Sequence, residues 1–136
     1  MTVLVDTNVW SLSLRRDAPG AEPVLAALIN AVEDGELILT TGLVLQELLL
    51  GELCDSTRQV IAERVEPLPE VRTDVLDHIA AAEIQNVCRR VGVQIGIVDA
   101  VLAQLCIRHG LRLLTADRDF EHVARITELQ LYPVAA

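Results

Sequence analysis

Four carboxylates stand where the surrounding residues are apolar. Asp6 ends the run Val3-Leu4-Val5, and Glu47 lies inside Leu43–Leu50. Asp99 interrupts Ile95–Ala103, the most hydrophobic stretch of the chain, and Asp117 follows Leu113-Leu114-Thr115-Ala116. An uncompensated buried carboxylate costs several kcal/mol, so such a group is paired, protonated or bound to a cation. Asp6, Asp99 and Asp117 each precede a predicted helix, where capping is an ordinary role for Asp. Glu47 falls inside its helix and cannot cap it; its ordinary role there is a buried ion pair with arginine. Two of the four end strands and a third opens a helix, so one edge of a sheet can gather them. At separations of about 5 Å and an effective dielectric of ~20, each pair repels by about 3 kcal/mol. Such a cluster either protonates or takes up divalent cations. All-oxygen donors select hard cations, Mg²⁺ or Mn²⁺, over zinc or copper. His78, His109 and His122 lack the spacing of a metal-binding pair and read as surface or helix-end residues.

The remaining composition narrows the chemistry further. All 11 basic residues are arginines, which excludes a Schiff-base, P-loop or kinase-type lysine. With 20 acidic residues the formal charge is -9, which disfavours nucleic-acid binding by bulk charge alone and is compatible with a metal site. Cys54, Cys88 and Cys106 have no C-x-x-C spacing and sit in or beside apolar stretches, as buried free thiols do. They point to a reducing, cytoplasmic setting and away from a structural zinc site. The start MTVLVDT carries no signal-peptide pattern, and no apolar run is long enough to span a bilayer.

To bring the four acids together, the chain needs an alternation of short strands and longer helices. Val3–Val5, Leu37–Leu39, Leu111–Thr115 and Leu129–Tyr132 read as strands. Helices are expected over Val9–Arg16, Glu22–Glu33, Leu43–Leu53, Ser56–Val65, Asp74–Val91, Val98–His109 and Phe120–Ile126. The second helix is expected to bury Val24, Leu25, Leu28, Ile29 and Val32. The third is apolar nearly all round and is expected to be central. In the fifth, Val75, Leu76, Ile79, Ile84, Val87 and Val91 keep helical spacing, and Gly92 closes it. The rhythm predicts one α/β domain over residues 1–136, a mainly parallel sheet with helices on its faces. In such a sheet the functional crevice lies beyond the carboxyl ends of the strands.

The ordered set Val-Asp6-Thr7-Asn8-Val-Trp, Gln46-Glu47-Leu48, Val98-Asp99-Ala100 and Thr115-Ala116-Asp117-Arg118-Asp119-Phe120 resembles the PIN domain. More closely it resembles the VapC group, the toxin ribonucleases of type II toxin–antitoxin systems, and the resemblance covers essentially the whole chain. One departure is Leu102-Ala103, where the group often has Ile-Ala after the third acid. The resemblance implies a three-layer α/β/α fold and an endoribonuclease dependent on one or two Mg²⁺ or Mn²⁺ ions. It puts the catalytic and metal-binding quartet on Asp6, Glu47, Asp99 and Asp117, with Thr7 and Thr115 as candidates to position a metal-bound water. It also implies a homodimer and a VapB-like antitoxin that covers the groove.

On that reading the metal-activated water attacks an RNA phosphodiester in line and leaves 5′-phosphate and 3′-hydroxyl ends. The RNA is expected to be a tRNA, rRNA or mRNA. Arg15, Arg16 and Arg118 are candidates to grip its backbone, against the ordinary role of arginine as a solvated surface charge. Asp119 is a candidate fifth ligand or a first-turn acid favoured by the helix dipole. Glu83 is peripheral to the site or paired with an arginine, and Trp10 belongs to the core or a dimer interface. Trp10, Phe120 and Tyr132 are the only aromatics, so base stacking is not the main recognition device and a folded shape or short loop is expected. The rival from another class is a catalytically silent PIN-fold binding or scaffold module. A dehalogenase-like phosphatase needs an acid where Asn8 stands, and a dinucleotide-binding module needs a G-x-G-x-x-G that is absent.

Overall fold

The computed structural model describes residues 2–14, 22–51 and 53–135. Strand β1 (Thr2–Val5) buries Val3, Leu4 and Val5 completely, which is why its sequence shows no alternation of polar and apolar residues. It lies between β2 (Leu37–Leu39) and β3 (Arg112–Leu114), and β4 (Gln130–Leu131) extends the sheet beyond β3. The order is β2-β1-β3-β4 and every pairing is parallel.

Helices α1 (Thr7–Ser13) and α2 (Pro23–Glu33) connect β1 to β2. Then α3 (Gly42–Leu49), α4 (Asp55–Arg64), α5 (Val75–Arg90) and α6 (Ile97–His109) lead to β3, and α7 (Asp119–Ile126) leads to β4. The chain moves from β1 to one neighbour and returns across it to the other. Right-handed crossovers therefore put the two helix groups on opposite faces of the sheet. Packing agrees: α2 lies against α1, β2 and β3, while α5 packs on α6 and α7, and α6 on β3. This is the expected three-layer α/β/α architecture. The direction of winding reverses between β1 and β3, so a crevice opens at their carboxyl ends.

Several expected faces are corrected. On α2 the buried stripe is Val24, Ala27, Leu28 and Ala31, with Ile29 and Val32 more than half exposed. Alanines let the helix sit close to the sheet, and a reading weighted toward large residues passes over them. The helix α3 is not buried all round: it covers only Val44 and Leu48, and Glu47 is exposed. On α5 the buried face carries Asp77, Ala81, Ile84 and Cys88, while Val75, Leu76, Ile79 and Val91 face outward. Of the three free cysteines, Cys88 and Cys106 are buried but Cys54 is exposed at the start of α4. Glu83 is exposed and pairs with Arg90 at 3.6 Å, away from the acids of interest. Trp10 is buried in the core.

Nothing in the local sequence singles out Asp77, yet it is buried. It closes a capping box with Asp74 at the head of α5, its Oδ2 accepting from Asp74 N at 3.0 Å. Arg108 on α6 donates to the same carboxylate at 2.6 Å, so α5 and α6 are tied by a charge pair as well as by apolar packing. Burial alone pushes Asp77 up, but the backbone N–H, Gln104 and Arg108 together hold it below the usual carboxylate range.

At the far end of α6, Gly110 takes the left-handed conformation at φ 65° and its N–H returns to Cys106 O. A Cβ there meets nothing within 4 Å, so a side chain costs only backbone strain. Gly110→Ala is expected to destabilise the fold by about 1 kcal/mol, and a melting curve a few degrees lower checks it.

Candidate functional site

Asp6 leaves β1 and caps α1. Its backbone N–H continues the sheet to Leu114 O at 2.9 Å, and its Oδ1 accepts from Thr7 N at 2.7 Å. Its Oδ2 accepts from Thr115 Oγ1 at 2.8 Å and Asn8 Nδ2 at 3.2 Å. Thr115 Oγ1 in turn accepts from Asp117 N at 3.0 Å. The side chain of Asn8 spans the crevice, because its Oδ1 accepts from Ala116 N at 3.0 Å. The tips of β1 and β3 are thus stapled by side chains of residues 6, 8 and 115. In the sequence Asn8 stands out only as part of a motif. Its spacing, two after a strand-ending Asp and in the first turn of a helix, is the signal for this bridge.

The four acids line one cleft. A hollow of about 460 Å³ is bordered by Asp6, Glu47, Asp99 and Asp117, with Thr7 and Asn8 among the other walls. Glu47 reaches it from α3, where Thr7 Oγ1 donates to its Oε1 at 2.7 Å. Asp99 enters from the first turn of α6, whose N-cap is Gly96, so Asp99 does not cap the helix. Asp117 follows β3 and accepts from Asp119 N at 2.9 Å through Oδ1; the N-cap of α7 is Arg118. Among the described residues none of the four acids is paired with a guanidinium, and Asp99 has no hydrogen-bond partner. The ion-pair alternative for Glu47 is therefore not what is found.

Electrostatics follow from this crowding. Burial pushes Asp99 up to about 6, and the charges of Asp6, Asp117, Glu47 and Asp119 push in the same direction. A place in the first turn of a helix favours its charged form by only about 0.3–1 kcal/mol, too little to offset them. Burial also raises Asp6, against the hydrogen bonds from Thr115 and Thr7 and with the charges of Glu47 and Asp117. Removing one of those bonds has a readable consequence. Thr115→Val is expected to raise Asp6 further, and a carboxyl-carbon NMR titration of the metal-free protein checks it.

The donor set suits a hard dication in its chemistry. Four carboxylates, two of them raised, face one cleft, and no cationic side chain among the described residues neutralises them. The carboxylates border the cleft without closing on a point, and among the described residues no three metal-binding side chains form a ready-made ligand set. The hydroxyl protons of Thr7 and Thr115 are spent on carboxylates, so both residues orient Glu47 and Asp6. Asp119 is exposed and near enough to raise Asp99. Arg118 is exposed beside Asp117, whereas Arg15 and Arg16 lie outside the described residues.

Comparison with known proteins is consistent with this geometry. The family model described as PIN domain matches residues 3–126. Ribonuclease VapC11 of Mycobacterium tuberculosis is 35% identical over 130 residues, covering 94% of this chain and 96% of that protein. VapC ribonuclease Mb1587 of Mycobacterium bovis matches to the same extent, 35% over 130 residues with the same coverage. Among solved structures, VapBC2 from Rickettsia felis bound to a promoter DNA fragment contains a similar fold. Its TM-score is 0.77 at 17% identity, with 99% of this chain and 100% of that one covered.

Proposed function

Because the chain belongs to the PIN domain family, and within it to the VapC group, we propose that it is an endoribonuclease whose acidic cleft works with Mg²⁺ or Mn²⁺. The observation that carries the reading is the convergence of Asp6, Glu47, Asp99 and Asp117 on one cleft, with no guanidinium among the described residues paired to any of them. The two ribonuclease relatives at 35% identity support the reaction class.

Asp6, Glu47, Asp99 and Asp117 would hold one or two ions. A dication bound there supplies positive charge that offsets the acids and the developing charge on phosphorus. The chain's own contribution is positioning. Thr115 and Asn8 fix the Asp6 carboxylate through Oδ2, and Thr7 fixes Glu47 through Oε1. The oxygens of Asp99 are left free of partners among the described residues. Water attacks phosphorus as the bond to the 3′-oxygen breaks, giving 5′-phosphate and 3′-hydroxyl ends. Arg118 is the described candidate for gripping the RNA backbone.

The same reading makes the protein the toxin of a toxin–antitoxin pair, with a VapB-like antitoxin and a homodimeric state. Support for the antitoxin comes from the VapBC2 complex among its structural neighbours. Among the described residues no helix is long and apolar enough to cross a membrane. The free thiols suit a reducing, cytoplasmic setting.

Total cellular RNA incubated with the pure protein tests the reaction whichever transcript is the target. New 5′-phosphate ends are expected with Mg²⁺ or Mn²⁺ and are expected to vanish in EDTA. Cleavage that persists in EDTA overturns the metal-dependent reading. No new ends with either metal favours the silent scaffold.

A further inference from the structure

A second hollow opens off the acidic cleft and has no role in the reading above. It measures about 590 Å³ and adjoins the cleft, with Leu12 and Asp117 lining both. Its volume falls in the range that small-molecule sites occupy. Leu12, Leu131 and Tyr132 make apolar walls, and Glu22, Arg118 and Glu121 supply polar groups.

We propose that this hollow holds one unstacked nucleobase of the RNA strand whose phosphate lies in the acidic cleft. The proposal rests on the nuclease reading and deepens it. Three observations lead to a base. First, Tyr132 is the only aromatic side chain among the described wall residues, and the Arg112 guanidinium sits 4.8 Å from its ring centroid, which fixes the ring. One ring is enough to stack one base, although three aromatics in the chain cannot read a long strand. Second, the described walls carry the carboxylates of Glu22, Asp117 and Glu121 against the single guanidinium of Arg118, so a second phosphate is disfavoured there while a neutral heterocycle is not. Third, Arg118 lines the hollow next to Asp117, the acid that the hollow shares with the cleft, and has no acidic partner among the described residues, which suits a backbone phosphate next to the base.

The carboxylates of Glu22 and Glu121 accept hydrogen bonds and, when ionised, donate none. They favour a base edge rich in N–H groups. Guanine offers adjacent ring and amino N–H donors, adenine and cytosine one amino group, and uracil a single N–H between carbonyls. Guanine is expected to bind best and uracil least.

Titrating the full chain with guanosine, adenosine, cytidine, uridine, ribose 5-phosphate and N-acetylargininamide, each alone, tests this by amide NMR shifts. Guanosine is expected to shift the amides of Leu131, Tyr132 and Val134, uridine least, and ribose 5-phosphate not at all. Tyr132→Leu is expected to weaken guanosine about tenfold, the loss of one stacking contact, and Tyr132→Phe to retain it. Glu121→Gln, at an exposed position, is expected to narrow the gap between guanosine and uridine. The proposal is overturned if no nucleoside moves these amides, if ribose 5-phosphate moves them as much, or if the arginine amide outcompetes guanosine. The last result makes the hollow a seat for a basic protein side chain. Cleavage with no nucleoside bound removes only this subsite. Nucleoside binding with no cleavage removes the nuclease reading and leaves a base-binding hollow.

Discussion

Asp99→Asn is expected to cut metal-dependent RNA cleavage by about 10³-fold, the scale of losing one preorganised electrostatic group at a reacting centre. The amide keeps the shape of the carboxylate but brings no charge to the cleft. The same substitution is expected to make the metal-free protein more stable at neutral pH. The sign follows from linkage. Asp99 is raised from 3.8 to about 6, so the folded state binds its proton more tightly than the unfolded chain does. Its ionisation therefore destabilises the fold as pH rises through that window, and the penalty is fully present above about pH 6. The group is partly open to solvent, so the gain on neutralising it is about 1–2 kcal/mol. Thermal melts of wild type and Asp99→Asn without metal should converge near pH 4 and separate near pH 7, with the variant higher. Opposite signs for activity and stability are the mark of a residue kept for chemistry. A variant that cleaves like wild type removes Asp99 from the mechanism; one less stable at neutral pH removes the repulsion within the cleft.

Asp77 is the opposite case. Asp77→Ala is expected to destabilise the fold by about 2–3 kcal/mol, because the capping box at the head of α5 is lost and Arg108 loses its nearest partner. Part of that loss is softened because Arg108 is itself 42% exposed and keeps Asp74 at 3.2 Å. Chemical denaturation measures it through the midpoint, with the slope unchanged. The pH dependence also runs the other way. Asp77 is held below its ordinary value in the folded state, so its contribution is present at neutral pH and fades as pH falls through the unfolded value toward the folded one. A loss under 1 kcal/mol would make the pair a solvated contact with little structural weight.

The fold is legible in the sequence where the signal is local. Short aliphatic runs mark the strands within two residues, and Gly92 and Gly110 both end helices at positive φ. The four acids are legible because each interrupts an apolar segment, an anomaly that one-dimensional reading detects well. Helix faces are less so. In α5, Val75, Leu76 and Ile79 outweigh Ala81 and Cys88 in apolar size, yet the smaller residues face the core. Which stripe is buried depends on where α6 and α7 lie, and periodicity does not carry that information. Asp77 escapes detection for the same reason: its partner Arg108 is 31 residues away on another helix. Asn8 illustrates a further limit, since its value lies in Ala116 N, a backbone group of a distant turn.

The staple between the tips of β1 and β3 has a consequence for how such a protein is made. The bond from Thr115 to Asp6 spans 109 residues, and among the described strands β3 leaves the ribosome after both β1 and β2. A nascent chain that has emerged only through α6 carries Asp6, Glu47 and Asp99 but lacks Asp117 and the hydroxyl that orients Asp6. Translation thus acts as a timer: the acidic cleft cannot assemble until β3 and the turn after it have emerged, and a chain cut short before them lacks both the staple and the fourth carboxylate.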